Sequence, residues 1–204
     1  MTRKRKTIII ISLLLFISLV VLIKTTTTNF LDNKVYSLIS NNLIKDNITP
    51  IVKTLTYLSS AIFLISLTIL LSIIIRNKKL PLFIIINLAS SYLLNNILKL
   101  IFRRDRPSMY NLITEKGYSF PSGHSMVSFA YYGLLIYLIY KYIDNKVLKY
   151  ILIFILTTII LLVGLSRIYL GVHYTTDVLG GYIFGLLYLI IFINYIEKYL
   201  TNGG

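Results

Sequence analysis

Six times along the chain the sequence runs apolar for about twenty residues with scarcely a charge, and repeated runs of that length cannot be hidden in one soluble core. The runs lie at about residues 7–23, 51–75, 80–102, 125–140, 150–169 and 177–195. In lipid every backbone amide must find its partner within the segment, which selects helices, since barrel strands would alternate over about ten residues each. The expected fold is therefore all-α, a polytopic membrane protein of six transmembrane helices. The first run follows Arg3, Lys4, Arg5 and Lys6 as in a signal peptide, but no small-residue cleavage site follows it, so an uncleaved anchor is expected.

Composition narrows the chemistry. The chain is 56% hydrophobic and has no cysteine, which excludes disulfides, thiolate metal sites and cysteine nucleophiles. Its net charge of +14 sits in short clusters between the apolar runs, where bilayer orientation already expects lysine and arginine, so no nucleic-acid partner is expected. The N-terminal cluster, then Arg76, Lys78 and Lys79, then Lys141, Lys146 and Lys149 fall on one side, read as the cytoplasm. Both termini are then cytoplasmic in the cell membrane.

Residues 24–50 fall on the other side. There Phe30, Leu31, Val35, Leu38, Ile39 and Leu43 recur at roughly helical spacing among polar residues, which predicts a short extracytoplasmic interfacial helix. Arg103, Arg104, Arg106 and Lys116 also fall outside, against the orientation rule, and demand a functional reason. No internal repeat or low-complexity linker divides the chain, so residues 1–204 are read as one domain.

Three polar clusters sit at outer span ends, where they are costly in lipid unless they face a site or water. In the first, Lys99, Arg103 and Arg106 are spaced by four and three before Pro107, so a helix would align them. Snorkelling to headgroups is one reading of such cations. An anion clamp is the other, since arginine offers a planar fork to phosphate and lysine a compact charge. The second cluster runs from Tyr118 through Pro121, Ser122, Gly123 and His124 to Ser125. Helix capping accounts for all of it except His124, and the same elements build an anion site, because glycine admits close backbone approach and helix N-termini favour negative charge. The third cluster contains Ser166, Arg167, His173 and Asp177. If its segment is helical, Asp177 accepts a hydrogen bond from one His173 nitrogen and leaves the other free as nucleophile or base. Both histidines of the chain lie at outer span ends beside Arg, Ser, Gly and Asp, which chance packing would not arrange.

The order Lys99-x6-Arg106-Pro107, Pro121-Ser122-Gly123-His124, then Ser166-Arg167-x5-His173-x3-Asp177 resembles the three-part signature of the type 2 phosphatidic acid phosphatase superfamily, complete and in order. The resemblance implies an integral membrane phosphatase acting on a lipid or isoprenoid phosphate through a phospho-histidine. It implies that His173 attacks phosphorus with Asp177 orienting it, and that His124 protonates the leaving group. Lys99, Arg106 and Arg167, with the Ser122 hydroxyl and Gly123 N–H, would hold the phosphoryl oxygens. Positioning and charge stabilisation carry most of phosphoryl transfer, so three fixed cations are expected to work without a metal or other cofactor. Among substrates, undecaprenyl pyrophosphate is slightly preferred over phosphatidylglycerophosphate and phosphatidic acid. A site at the extracytoplasmic interface is expected to open sideways to admit lipid tails.

Three alternatives remain open on the sequence. A transporter or channel would place charge along the bilayer depth rather than at one face. A vanadium haloperoxidase would share the oxyanion site, and a lipid phosphotransferase would pass the phosphoryl group from the histidine to another acceptor.

Overall fold

A computed structural model describes residues 1–108 and 111–201. Among these described residues eight helices follow in order: α1 (Arg3–Lys24), α2 (Asn29–Asn42), α3 (Thr49–Tyr57), α4 (Ala61–Ile74), α5 (Lys79–Phe102), α6 (Gly123–Tyr142), α7 (Lys146–Tyr169) and α8 (Thr175–Thr201). Among the described residues there is no strand. By length and composition α1, α5, α7 and α8 can cross a membrane, and a fifth span results if α3 and α4 are taken together.

α6 fails that test of apolarity for a reason its position supplies. It packs against α5, α7 and α8 at the centre of the bundle, with Met126, Ala130, Tyr131 and Leu134 fully buried. A helix screened by neighbours needs no lipid-compatible surface and is free to carry polar side chains that tie helices together. Tyr131 Oη lies 2.8 Å from Thr68 Oγ1 of α4, and Tyr137 Oη donates to Glu197 of α8 at 2.9 Å. Close approach of α6 and α8 requires Gly181, where a methyl group would stand 2.8 Å from the Ser122 carbonyl oxygen. At the opposite end from the polar clusters, Arg5 of α1 forms a two-pronged pair with the same Glu197.

The expected continuous span over 51–75 is broken. α3 and α4 meet at 49°, separated by Leu58, Ser59 and Ser60. Ser60 caps α4 by accepting from Phe63 N, a bond that a continuing helix would not need. Ser59 Oγ donates to the His124 carbonyl at 3.0 Å, and Tyr132 Oη donates to the Leu58 carbonyl. The break thus fastens the start of α4 to the start of α6, beside the polar clusters.

Residues 29–42 do form a helix, as their spacing predicted. Its inner face carries Asp32, Val35, Tyr36 and Ile39, while Phe30, Leu31 and Leu38 are exposed.

Candidate active site

The first cluster is built on a turn rather than on the helix the spacing predicted. α5 stops at Phe102, and Arg103 takes the left-handed conformation, φ 48°, closing the helix with its N–H on the Lys99 carbonyl. The alignment of Lys99, Arg103 and Arg106 on one helix face is therefore incorrect. Beyond the turn the chain is extended, so side chains alternate: Arg103 and Asp105 lie outward, Arg104 and Arg106 inward. Ser119 N and Oγ hold the Arg104 carbonyl, which pins this segment to the loop before α6.

Arg106 is anchored by its surroundings. Its Nε donates to the Gly117 carbonyl at 3.0 Å, Nη2 to Lys116 O at 3.1 Å and Nη1 to Val172 O at 2.9 Å. Nη1 also lies 3.2 Å from His173 Nε2. A guanidinium only donates, so Nε2 is the accepting nitrogen and the ring proton sits on Nδ1. Nδ1 in turn lies 3.3 Å from Asp177 Oδ2.

His173 itself precedes α8 and is not helical, contrary to the condition attached to the His–Asp spacing. The contact arises from capping instead. Asp177, in the first turn of α8, accepts from Tyr174 N at 2.9 Å, the reach-back of an acidic residue to the N-cap amide. That bond turns the Oδ2 edge toward the imidazole. His173 is 2% exposed, and burial, with the charges of Arg167, Lys99 and Arg106 adding to it, holds its pKa well below the usual 6.5. It is neutral at neutral pH.

The second cluster starts α6. Ser122 is its N-cap and accepts from Ser125 N at 3.5 Å and Ser125 Oγ at 3.0 Å, the capping role weighed for it. Gly123 is needed because a methyl group there would meet Asn95 Oδ1 at 2.9 Å. Lys99, one turn along α5, donates its ammonium to the Tyr118 carbonyl.

Arg167 closes the site from α7. It is 1% exposed, donating Nη1 to Thr56 Oγ1 at 2.9 Å and Nη2 to Glu115 Oε1 at 2.5 Å. Its buried Nε has no partner among the described residues. Glu115 Oε2 also lies 4.0 Å from Arg106 Nη2, so one carboxylate spans two of the expected phosphate-holding cations.

Lys99, Arg106, Gly123, His124 and His173 line one cleft of about 1260 Å³. Arg167 stands behind Glu115, Asp177 behind His173, and Ser122 inside the start of α6. From this polar end the cleft runs between α4 and α5 along Leu64, Ile65, Ile69, Leu88, Ala89 and Tyr92. Its α4 wall reaches from Ala61 to Ile73, about 18 Å at 1.5 Å per residue. Among the described residues no group of three or more His, Asp or Glu side chains gathers as metal ligands do.

Three residues of this site escaped sequence reasoning. Glu115 is one of only seven acidic residues and adjoins Lys116, already conspicuous as an outer cation. Asp32 stands on the inner face of α2 at the spacing of Val35 and Ile39. Arg104, conspicuous in the sequence only as an outer cation, binds Asp177 Oδ1 at 2.7 Å and Asp32 Oδ2 at 2.9 Å.

Residues 80–200 match the PAP2 superfamily. The chain is 36% identical to phosphatidylglycerophosphatase B of Bacillus subtilis (strain 168) over 151 residues, 71% of this chain and 73% of that one. The crystal structure of a transmembrane PAP2 type phosphatidylglycerolphosphate phosphatase from Bacillus subtilis superposes with TM-score 0.86 at 30% identity, covering 93% of this chain and 96% of that one. Aquifex aeolicus LpxE superposes with TM-score 0.66 at 28% identity, covering 81% and 96%.

Proposed function

Because the chain belongs to the PAP2 superfamily and is a phosphatase of that family, we propose that it hydrolyses a lipid phosphate or isoprenoid pyrophosphate through a phosphoryl group carried on His173 Nε2. The observation that carries this reading is the fixed tautomer of His173, whose unprotonated Nε2 faces Arg106 at the cationic end of a cleft with apolar walls.

The phosphate enters beside Lys99 and Arg106, displacing Arg106 from Nε2 and Glu115 from Arg167. Its equatorial oxygens take the Lys99 ammonium, the Arg106 and Arg167 guanidinium groups, the Gly123 N–H and the Ser122 hydroxyl. Nε2 attacks phosphorus in line as the P–O bond to the leaving group breaks, and His124 gives that oxygen its proton. Asp177 stabilises the positive charge that the ring gains while keeping its Nδ1 proton. Water then attacks the phosphoryl group from the vacated side, His124 accepts its proton, and inorganic phosphate leaves with Nε2 restored.

The apolar cleft between α4 and α5 suits a lipid whose tails stay in the bilayer while its phosphate reaches the histidines. Its length of about 18 Å is roughly three fifths of the ~30 Å hydrocarbon core. Counting the bent α3–α4 pair as one span and α6 as another gives six, with both termini cytoplasmic, α2 lying in the outer interface and the site extracytoplasmic, all within one domain. The Bacillus relatives named for phosphatidylglycerophosphate move that lipid ahead of undecaprenyl pyrophosphate and phosphatidic acid as first choice.

The test is phosphate release from these three lipids by the detergent-purified chain, with chelator present throughout. The reading expects turnover in chelator, fastest on phosphatidylglycerophosphate, and none by His173→Ala. Turnover by that variant, or loss of native activity in chelator, would refute it.

A further inference from the structure

The His173–Asp177 dyad is held by a second layer of charge that its mechanism does not use. Arg104 Nη1 donates to Asp177 Oδ1 and to Thr176 Oγ1, each at 2.7 Å, while Nη2 donates to Asp32 Oδ2 at 2.9 Å. Asp32 reaches across from α2 to accept from Thr176 N at 2.9 Å and Thr176 Oγ1 at 2.7 Å, which fastens it to the first turn of α8. The guanidinium stacks on the Tyr174 ring at 4.1 Å, so its plane is set as well as its contacts. Asp32 and Asp177 are 2% and 0% exposed.

The geometry points to Arg104 and Asp32 as positioning residues of the reaction, acting on His173 through Asp177. A carboxylate removed from water needs a cation, and with His173 neutral the one bonded to Asp177 is Arg104. The bond to Oδ1 leaves Oδ2 for the His173 Nδ1 proton and so fixes which edge faces the ring. Asp32 takes the other arm of the fork. Two carboxylates sharing one guanidinium retain a net negative charge beside the imidazole, and that charge stabilises the ring as it becomes cationic on attack.

Neither residue lines the cleft between α4 and α5, and both reach His173 only through Asp177 and the start of α8. Arg104 stands at one of the x positions between Lys99 and Arg106 in the first motif, and Asp32 lies outside all three motifs. The consequence is that α2, remote from the signature in sequence, contributes a charge to the chemistry.

The inference rests on His173 as nucleophile, and the experiment separates the two. Turnover of phosphatidylglycerophosphate is measured for the full chain and for Arg104→Gln, Arg104→Lys, Asp32→Asn and His173→Ala, each normalised to monodisperse protein. Arg104→Gln is expected to lower kcat about 10- to 100-fold, by analogy with the loss when an outer partner of a metal-bound histidine is removed, with KM within about threefold. Arg104→Lys, which keeps charge but loses the fork, should recover part of kcat, and Asp32→Asn should lower kcat with KM unchanged. If Arg104→Gln aggregates, the other two variants carry the comparison. Native kcat in all folded variants, or losses appearing only in KM, would overturn the positioning role while an inactive His173→Ala left the nucleophile standing. Turnover by His173→Ala would overturn both.

Discussion

Arg106 Nη1 stands 3.2 Å from His173 Nε2, so in the empty site the nitrogen expected to attack phosphorus is already covered by a cation expected to hold that phosphate. The same guanidinium spans three carbonyl oxygens, which fixes its plane. Arg106→Lys keeps the charge but not the fork. Charged hydrogen bonds contribute about 1.5–3 kcal/mol each, so kcat/KM for a lipid phosphate should fall about 10- to 100-fold. Steady-state kinetics on folded protein checks this, and an unchanged kcat/KM would remove Arg106 from the phosphate site.

His173 carries a pKa held well below 6.5 by burial and by the neighbouring cations. A depressed pKa keeps Nε2 unprotonated to lower pH, and protonation there abolishes the nucleophile. The acidic limb of kcat/KM, which reports the free enzyme, should therefore lie below pH 6.5. The corresponding limb of kcat should lie higher, because a bound phosphate dianion favours the imidazolium. A pH–rate profile showing the free-enzyme limb at or above 6.5 would contradict this environment for His173.

Glu115 sits where an anion would, 2.5 Å from Arg167 Nη2 and 4.0 Å from Arg106 Nη2. A phosphate must displace it or share its cations. Glu115→Gln removes the negative competitor and keeps the shape, so inorganic phosphate should inhibit at a concentration about 3- to 10-fold lower, corresponding to about 0.7–1.4 kcal/mol. The inhibition constant measured for both proteins decides, and weaker inhibition in the variant would show that Glu115 supports the anion rather than competing with it.

Ala89 lies on the α5 wall of the apolar cleft. Ala89→Trp should fill the space between α4 and α5 and raise KM for long-chain lipid phosphates about 10-fold or more, at roughly 25 cal/mol per Å² of lost apolar contact. A short-chain ester that does not extend past Ala89 should turn over as before. Equal effects on both substrates would place the tails elsewhere.

How much of this was legible in the sequence depended on range. The spans expected at 80–102 and 150–169 became α5, Lys79–Phe102, and α7, Lys146–Tyr169, because an apolar run is a local signal. The break at 58–60 was hidden, since Ser59 and Ser60 lie in an otherwise apolar run and their partners belong to the α4 N-terminus and to α6. The left-handed turn at Arg103 defeated helical spacing in the first motif, yet the extended alternation after it still delivered Arg106 to the site. Asp32 and Arg104 are 72 residues apart, and Glu115 and Arg167 are 52 apart. No periodicity joins charges at such separations. The signature residues were found because the motifs are compact, whereas the carboxylates that balance their charge were not.

The proposed reaction passes through a phosphoryl group bonded to His173 Nε2. Protein turning over a lipid carrying labelled terminal phosphate is quenched in alkali within one turnover, where a phosphorus–nitrogen bond survives, then digested and mapped. Alkali-stable, acid-labile label is expected on the peptide containing His173 and is expected to be absent from His173→Ala. Label mapping to any other residue, or His173→Ala releasing phosphate at the native rate, would contradict it.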